Sequence, residues 1–343
     1  MIHNMSANQK DIAAELGVSQ MTVSLALSGG HAKRLKPELV EKICSTARKM
    51  GYRYSVSAQN LRTAPKALGL LILQNYEAFR PNIECHDAIS TFILQCRRCM
   101  RTFQIEWFDQ ERYQHDLPRL LTDGLVGGII CYGHASERIN AEFTKGSLPI
   151  VKINEEWHHN ISFDMKTDMQ RAVRALYNLG HTRIGIFNCS KHQVFTWAKA
   201  GFVQAMSDLN LVPACIYETH PDGSFSQDVL FFVDQFIAMP PDKRPTVLMV
   251  DTALTAKTLI SALLSRGIRI PDELGIFTFC SVDWENDYFI PALSGLEYTF
   301  AELMDSAIGL LLQLMTPAQL PEQQILISQK ISFRDSVLDI RNV

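Results

Sequence analysis

At 343 residues the chain is too long for one small core, and two or three domains are the default expectation. Hydrophobic residues make up 47% and charged residues 20%, the composition of a folded protein, and no apolar run reaches the roughly 18 residues of a membrane span. The net charge of −3 conceals an asymmetry: through residue 66 ten Lys/Arg face four Asp/Glu, and beyond it 23 face 32. A basic head on an acidic body is the layout of a nucleic-acid-binding domain joined to one that does not touch nucleic acid.

The polar N-terminus leads directly into a patterned segment, so no signal peptide and a cytoplasmic location are expected. Residues 9–28, QKDIAAELGVSQMTVSLALS, have the pattern of a helix-turn-helix. Ile12, Ala13 and Leu16 form an apolar stripe on the first helix, with Ala13 small at the closest approach. Gly17 sits at the turn, where a left-handed backbone favours glycine. Ser19 is placed to cap the second helix, and Val18, Val23 and Ala26 form its inner face. Ser19, Gln20, Met21, Thr22, Ser24 and Leu25 are left for the major groove of double-stranded DNA. The plainer alternative is a helical hairpin with a glycine turn. A third helix is predicted from Pro37 to Met50, with proline at its first position, Gly51 as its stop, and Leu39, Val40, Ile43, Ala47 and Met50 buried.

At GYRYSVSAQNLRT, residues 51–63, the chain resembles the lactose-repressor/galactose-repressor (LacI/GalR) family of bacterial transcription regulators. The resemblance rests on Lys10-Asp11-Ile12-Ala13, Gly17-Val18-Ser19, Thr22-Val23-Ser24, Gly51-Tyr52-Arg53 and Leu61-Arg62-Thr63, and continues more loosely through nearly all of the chain. It implies that Ser57 to Arg62 are a hinge that becomes helical on DNA, with Ser57, Leu61 and Arg62 as contacts and Leu61 as a minor-groove wedge. A plain linker is the alternative. Family members commonly carry arginine where this chain has Leu25, so base readout is expected to differ and to rest mainly on Gln20 and Met21.

From Ala67 onward, short apolar strands alternate with helices. Strands are predicted at 68–73, 104–108, 127–131, 150–153, 184–187, 246–250 and 274–279, and helices at 88–100, 169–179, 199–209 and 253–266. The predicted fold is a small all-α helix-turn-helix head plus an α/β periplasmic-binding-protein-like body of two doubly wound parallel-sheet subdomains. The expected divisions are 1–54 for the head, 55–66 for the hinge and 67–343 for an effector-binding and dimerisation domain. Within the body, one lobe is expected at 67–159 plus 290–320 and the other at 160–289 plus 321–343. Leu179-Gly180-His181-Thr182-Arg183-Ile184 and Ile270-Pro271-Asp272-Glu273-Leu274 also match family landmarks.

The resemblance implies a small-molecule effector, a sugar or related metabolite, held between the lobes. The usual arginine three residues before Gly201-Phe202 is Ala198 here, and the usual Asp-Asp after the last strand of the second lobe is Cys280-Ser281. The Asn-Asp after the preceding strand is only partly kept, as Asp251-Thr252. Aromatic and small polar groups stand at the strand ends instead: Gln74, Asn75, Tyr76, Trp107, Tyr132, His192, Trp197 and Trp284. Candidate effector residues are Asn75, Tyr76, Tyr132, Trp197, Asp251, Cys280, Ser281 and Trp284. The pocket either takes a less polar ligand or is vestigial, with control passing to a protein partner or to thiol state.

Eight scattered cysteines read as reduced thiols, and the Cys96-Arg-Arg-Cys99 motif has no second pair to make a metal site. His158-His159 near Glu155-Glu156 is placed on a polar loop. No catalytic motif, cofactor or metal site is expected. The reading is a homodimeric repressor on a pseudo-palindromic operator, with no membrane partner. Its rivals are a small-molecule receptor without DNA binding and a metal- or redox-responsive regulator using Cys96 and Cys99.

Overall fold

The computed structural model describes residues 9–27, 35–50, 67–74, 83–188, 193–218, 225–316 and 320–341. The chain divides into two compact units, Met1–Pro65 and Lys66–Val343.

The first unit contains α1 (Gln9–Leu16), α2 (Gln20–Leu27) and α3 (Pro37–Lys49). Ile12, Ala13, Val23, Ala26, Ile43 and Ala47 are buried together, with Leu16, Val18, Leu39, Val40 and Met50 packed around them. Gly17 has φ +61° with nothing within 4 Å of where a Cβ would stand, so backbone conformation alone makes the glycine useful. The α1 end is a Schellman turn: Val18 N–H donates to Ala13 C=O (3.1 Å) and Gly17 N–H to Ala14 C=O (3.4 Å). Ser19 Oγ accepts the Thr22 N–H at 3.0 Å and pairs with Thr22 Oγ1 at 2.9 Å, the expected cap. Ser19→Ala should cost the head about 1 kcal/mol, read as faster hydrogen exchange of the α2 amides in the full chain. Unchanged exchange would show the cap to be idle.

The second unit holds two six-stranded sheets. The first contains β1 (Leu68–Ile72), β2 (Phe103–Trp107), β3 (Gly128–Tyr132), β4 (Ile150–Ile153), β5 (His159–Phe163) and β11 (Gln323–Ile327), in the order β11-β5-β4-β3-β1-β2 and parallel throughout. The second contains β6 (Ile184–Asn188), β7 (Cys215–Glu218), β8 (Val247–Thr252), β9 (Gly275–Val282), β10 (Ser294–Tyr298) and β12 (Lys330–Ser332), in the order β12-β10-β9-β8-β6-β7. Only β12 runs antiparallel there.

Helices cover both faces of each sheet, as buried parallel strands require. The first lobe carries α4 (Ile83–Arg98), α5 (Arg119–Thr122), α6 (Glu137–Lys145) and α11 (Phe300–Leu314), and the second α7 (Met165–Asn178), α8 (Gln193–Asp208), α9 (Phe225–Ala238) and α10 (Ala253–Ser265). One apolar cluster runs continuously from α4 and α11 through both sheets to α7 and α8. Gly201 lets α8 press onto α7, since a Cβ there would stand 2.3 Å from the Lys166 carbonyl oxygen.

The lobe limits differ from expectation. The chain crosses at Phe163–Met165, Tyr298–Phe300 and Ile327–Lys330, so β10 belongs to the second sheet and β11 to the first. The expected breaks at 159, 289 and 320 fall short of these, because strand pairing carries each segment on to 163, 298 and 327 before the chain crosses. Helices α7, α10 and α11 each begin immediately after a strand and are capped by Asp164, Thr252 and Thr299. His159 opens β5 rather than lying on a loop. His158 bonds Glu322 (2.6 Å), and His159 Nδ1 accepts from Gln323 N–H (3.3 Å).

Candidate nucleic-acid interface and interlobe cleft

On α2 the outer face has the composition read from sequence. Met21 is 73% exposed and Gln20 is exposed, while Thr22, Ser24 and Leu25 are half-buried. The two most projecting groups therefore stand at the N-terminal end of α2, where a groove-bound helix meets base edges. Ser57, Leu61 and Arg62 lie outside the described residues.

In the body, the carboxyl ends of parallel strands from both lobes end at the crossings. Asn75, Tyr76 and His192 lie outside the described residues. Tyr132 ends β3 buried, its ring edge-on to Phe300 at 5.8 Å in an aromatic group with Tyr298 and Phe163. Trp107 ends β2 and donates its indole N–H to the Gln74 carbonyl at 2.8 Å. Asp251 is buried near the end of β8, accepting the Thr252 N–H at 2.7 Å. Ala198 is fully buried within the apolar cluster, so the position where the family commonly has arginine offers no polar group here. Trp197 is half-buried and Trp284 exposed; Cys280 is buried.

Ser281, a candidate effector residue, is 1% exposed, and its hydroxyl is engaged by Thr278 Oγ1 (3.0 Å), the Leu296 carbonyl (3.3 Å) and Asn286 Nδ2 (2.9 Å). A hydroxyl has one proton and two lone pairs, so none remains for a ligand. Its network continues through Glu297, which accepts from Asn286 (2.8 Å), Ser332 (2.5 Å) and Arg334, while Arg334 also holds Asp287 (2.6 Å). This buried ionic knot anchors the 3₁₀ turn Glu285–Tyr288 to the sheet.

Sequence reading missed an acidic juxtaposition. Asp87 on α4 of the first lobe is pushed up by burial and then by the carboxylate of Asp283, which follows β9 in the second lobe. The two carboxylates come from opposite lobes, a relation no sequence pattern carries. In the CxxC motif, burial and then Cys99 push the Cys96 thiol up to about 12, far from a neutral-pH thiolate. Glu155 bonds His134 rather than His158 or His159. A cavity of about 290 Å³ lined by Leu121, Phe143, Leu148 and Ile150 lies at the amino end of β4, away from the carboxyl ends. Among the described residues, no helix is long and apolar enough to cross a membrane.

Residues 173–337 match the family of periplasmic binding protein-like domains. The chain is 24% identical to the ribose operon repressor of Haemophilus influenzae, over 98% of this chain and 100% of the relative. Catabolite control protein A of Priestia megaterium is 22% identical, over 97% and 99%. The lac repressor dimer bound to operator and an anti-inducer shares the fold with TM-score 0.78 at 16% identity, covering 97% of this chain and 100% of that one.

Proposed function

We infer that this chain, a member of the LacI/GalR family of transcriptional regulators, is a sequence-specific DNA-binding repressor rather than an enzyme, acting as a homodimer on a pseudo-palindromic operator. The observation that carries it is the head: a capped, glycine-turned helix pair presenting Gln20 and Met21, on a chain whose basic charge is concentrated there. A soluble, cytoplasmic protein follows from that activity.

One recognition helix meets too few bases for useful specificity, and two-fold pairing is the usual remedy. The second lobe offers a surface for it. Tyr288 is 81% and Ile290 94% exposed. Leu254 on α10 of the same lobe is also exposed. Large apolar side chains left this exposed are candidates for an association face.

Binding-site selection on random DNA with the full chain tests the reading directly. An inverted repeat is the expected result, and selection of no sequence would leave a small-molecule receptor. Leu25→Arg should introduce a guanine at one position of each half-site, worth about 1–3 kcal/mol of discrimination. An identical consensus for both proteins would remove Leu25 from base readout.

The effector is a sugar or related metabolite in the interlobe cleft, as the relatives' names and the two-lobed fold support. With Ala198 in the core and Ser281 engaged internally, recognition falls to Trp197, Asp251, Cys280 and Trp284, with Asn75, Tyr76 and Tyr132 as the first lobe's candidates. A thermal-shift screen of sugars, nucleosides and sugar acids is the direct assay.

A further inference from the structure

The three crossings are not equally fixed. At the third, Asp164 N–H donates to the Ile327 carbonyl (3.0 Å). Asp168, 0% exposed on α7, accepts the Gln329 N–H at 2.7 Å and the Ser328 hydroxyl at 3.1 Å. Arg171 holds Asp168 (2.5 Å) and donates to the Gln329 carbonyl (3.3 Å). The Gln329 backbone is therefore bound to the second lobe at both its N–H and its C=O.

Its side chain is in the opposite condition. Gln329 is 2% exposed, yet neither Nε2 nor Oε1 has a partner among the described residues. A carboxamide offers two donors and a two-lone-pair acceptor, and buried ones are almost always paired. Ser162, two residues before the first crossing, is likewise buried with its hydroxyl unpaired. Unpaired polar groups thus sit at the two crossings that Asp164 and Asp168 tie together.

We propose that Gln329 is the switch residue of the interlobe hinge: its backbone stays clamped to α7, and its carboxamide, unpaired in this lobe arrangement, is paired in a second one. The clamp keeps residues 328 and 329 with the second lobe while the first rotates about them. The unpaired amide disfavours the present arrangement, so the two states lie close in free energy and a ligand can select between them. The inference rests on the two-lobed body and not on DNA binding, so it can fail while the repressor reading stands.

Pulsed electron spin resonance on the full chain tests it, with spin labels on non-natural residues at exposed Lys145 in the first lobe and Leu264 in the second. Labelled protein is diluted into unlabelled protein to remove distances between subunits. The expected result is two interlobe distances in the unsubstituted chain. Gln329→Leu, similar in volume and without polar atoms, should shift the ratio at least tenfold toward the arrangement described here and raise the Tm. Gln329→Met, a flexible alternative, should do the same should leucine fail to fold. A single distance unaltered by either substitution, or two distances in an unaltered ratio, would overturn the proposal and leave Gln329 as a structural amide.

Discussion

Replacing Arg334 with methionine should cost the body about 3–5 kcal/mol, the usual penalty for stranding a buried charge. Glu297 is buried within the second sheet, and Arg334 is its charge partner, with Asn286 and Ser332 completing its hydrogen bonds. Removing the guanidinium leaves the carboxylate with only neutral donors. The pairing of Arg334→Met with Glu297→Gln discriminates the cause: a neutral carboxamide still accepts from Asn286 and can donate to Ser332. Urea denaturation of the double variant should recover more than half of the loss. A cost under about 1 kcal/mol for Arg334→Met alone would make the pair an ordinary surface contact.

The double substitution Tyr288→Glu with Ile290→Glu should leave folding intact, since both side chains are largely exposed, but should split the dimer. Four carboxylates brought together across a two-fold face repel and lose their hydration. A monomer must engage each half-site separately, forfeiting an effective concentration that multiplies affinity by about 10²–10⁴. Operator affinity should therefore fall at least a hundredfold, while weak half-site binding persists. Sedimentation equilibrium with gel shift reads both. A dimer that survives the substitutions places the subunit contact elsewhere. The two predictions are linked, because the Glu297–Arg334 knot also holds the turn carrying Tyr288.

The head was legible almost residue by residue, because each demand of the motif is local: Gly17 needs its own φ, and Ser19 caps a turn three residues away. Strands buried on both faces, such as β1, β3 and β4, were legible as continuous apolar runs. Strands β7 and β11 were not, because they alternate half-buried with exposed residues at sheet edges and offer only four or five positions. HNISF of β5 was hidden by its histidine, which reads as polar although Asn160 and Ser162 end up buried. Asp168 stands one residue before the helix predicted at 169–179, and nothing local marks it, because its partners Ser328 and Gln329 lie 160 and 161 residues on. The influence of Asp283 on Asp87 is likewise a product of two lobes meeting, which no local pattern carries.

Because the chain passes between the lobes three times, the order of synthesis separates the two halves of the protein in time. The head closes its core with α3, before the first strand of the body has been made. Neither sheet is complete until β11 and β12 appear, about 280 residues later, roughly 15–60 s at ordinary translation speed. Through that interval a finished helical head is joined to unfinished sheets with open apolar edges, which are prone to aggregate. For the same reason a nonsense mutation between β10 and the end of β11 damages both lobes at once, whereas one after Ile327 spares the first sheet and removes only β12 and the tail from the second.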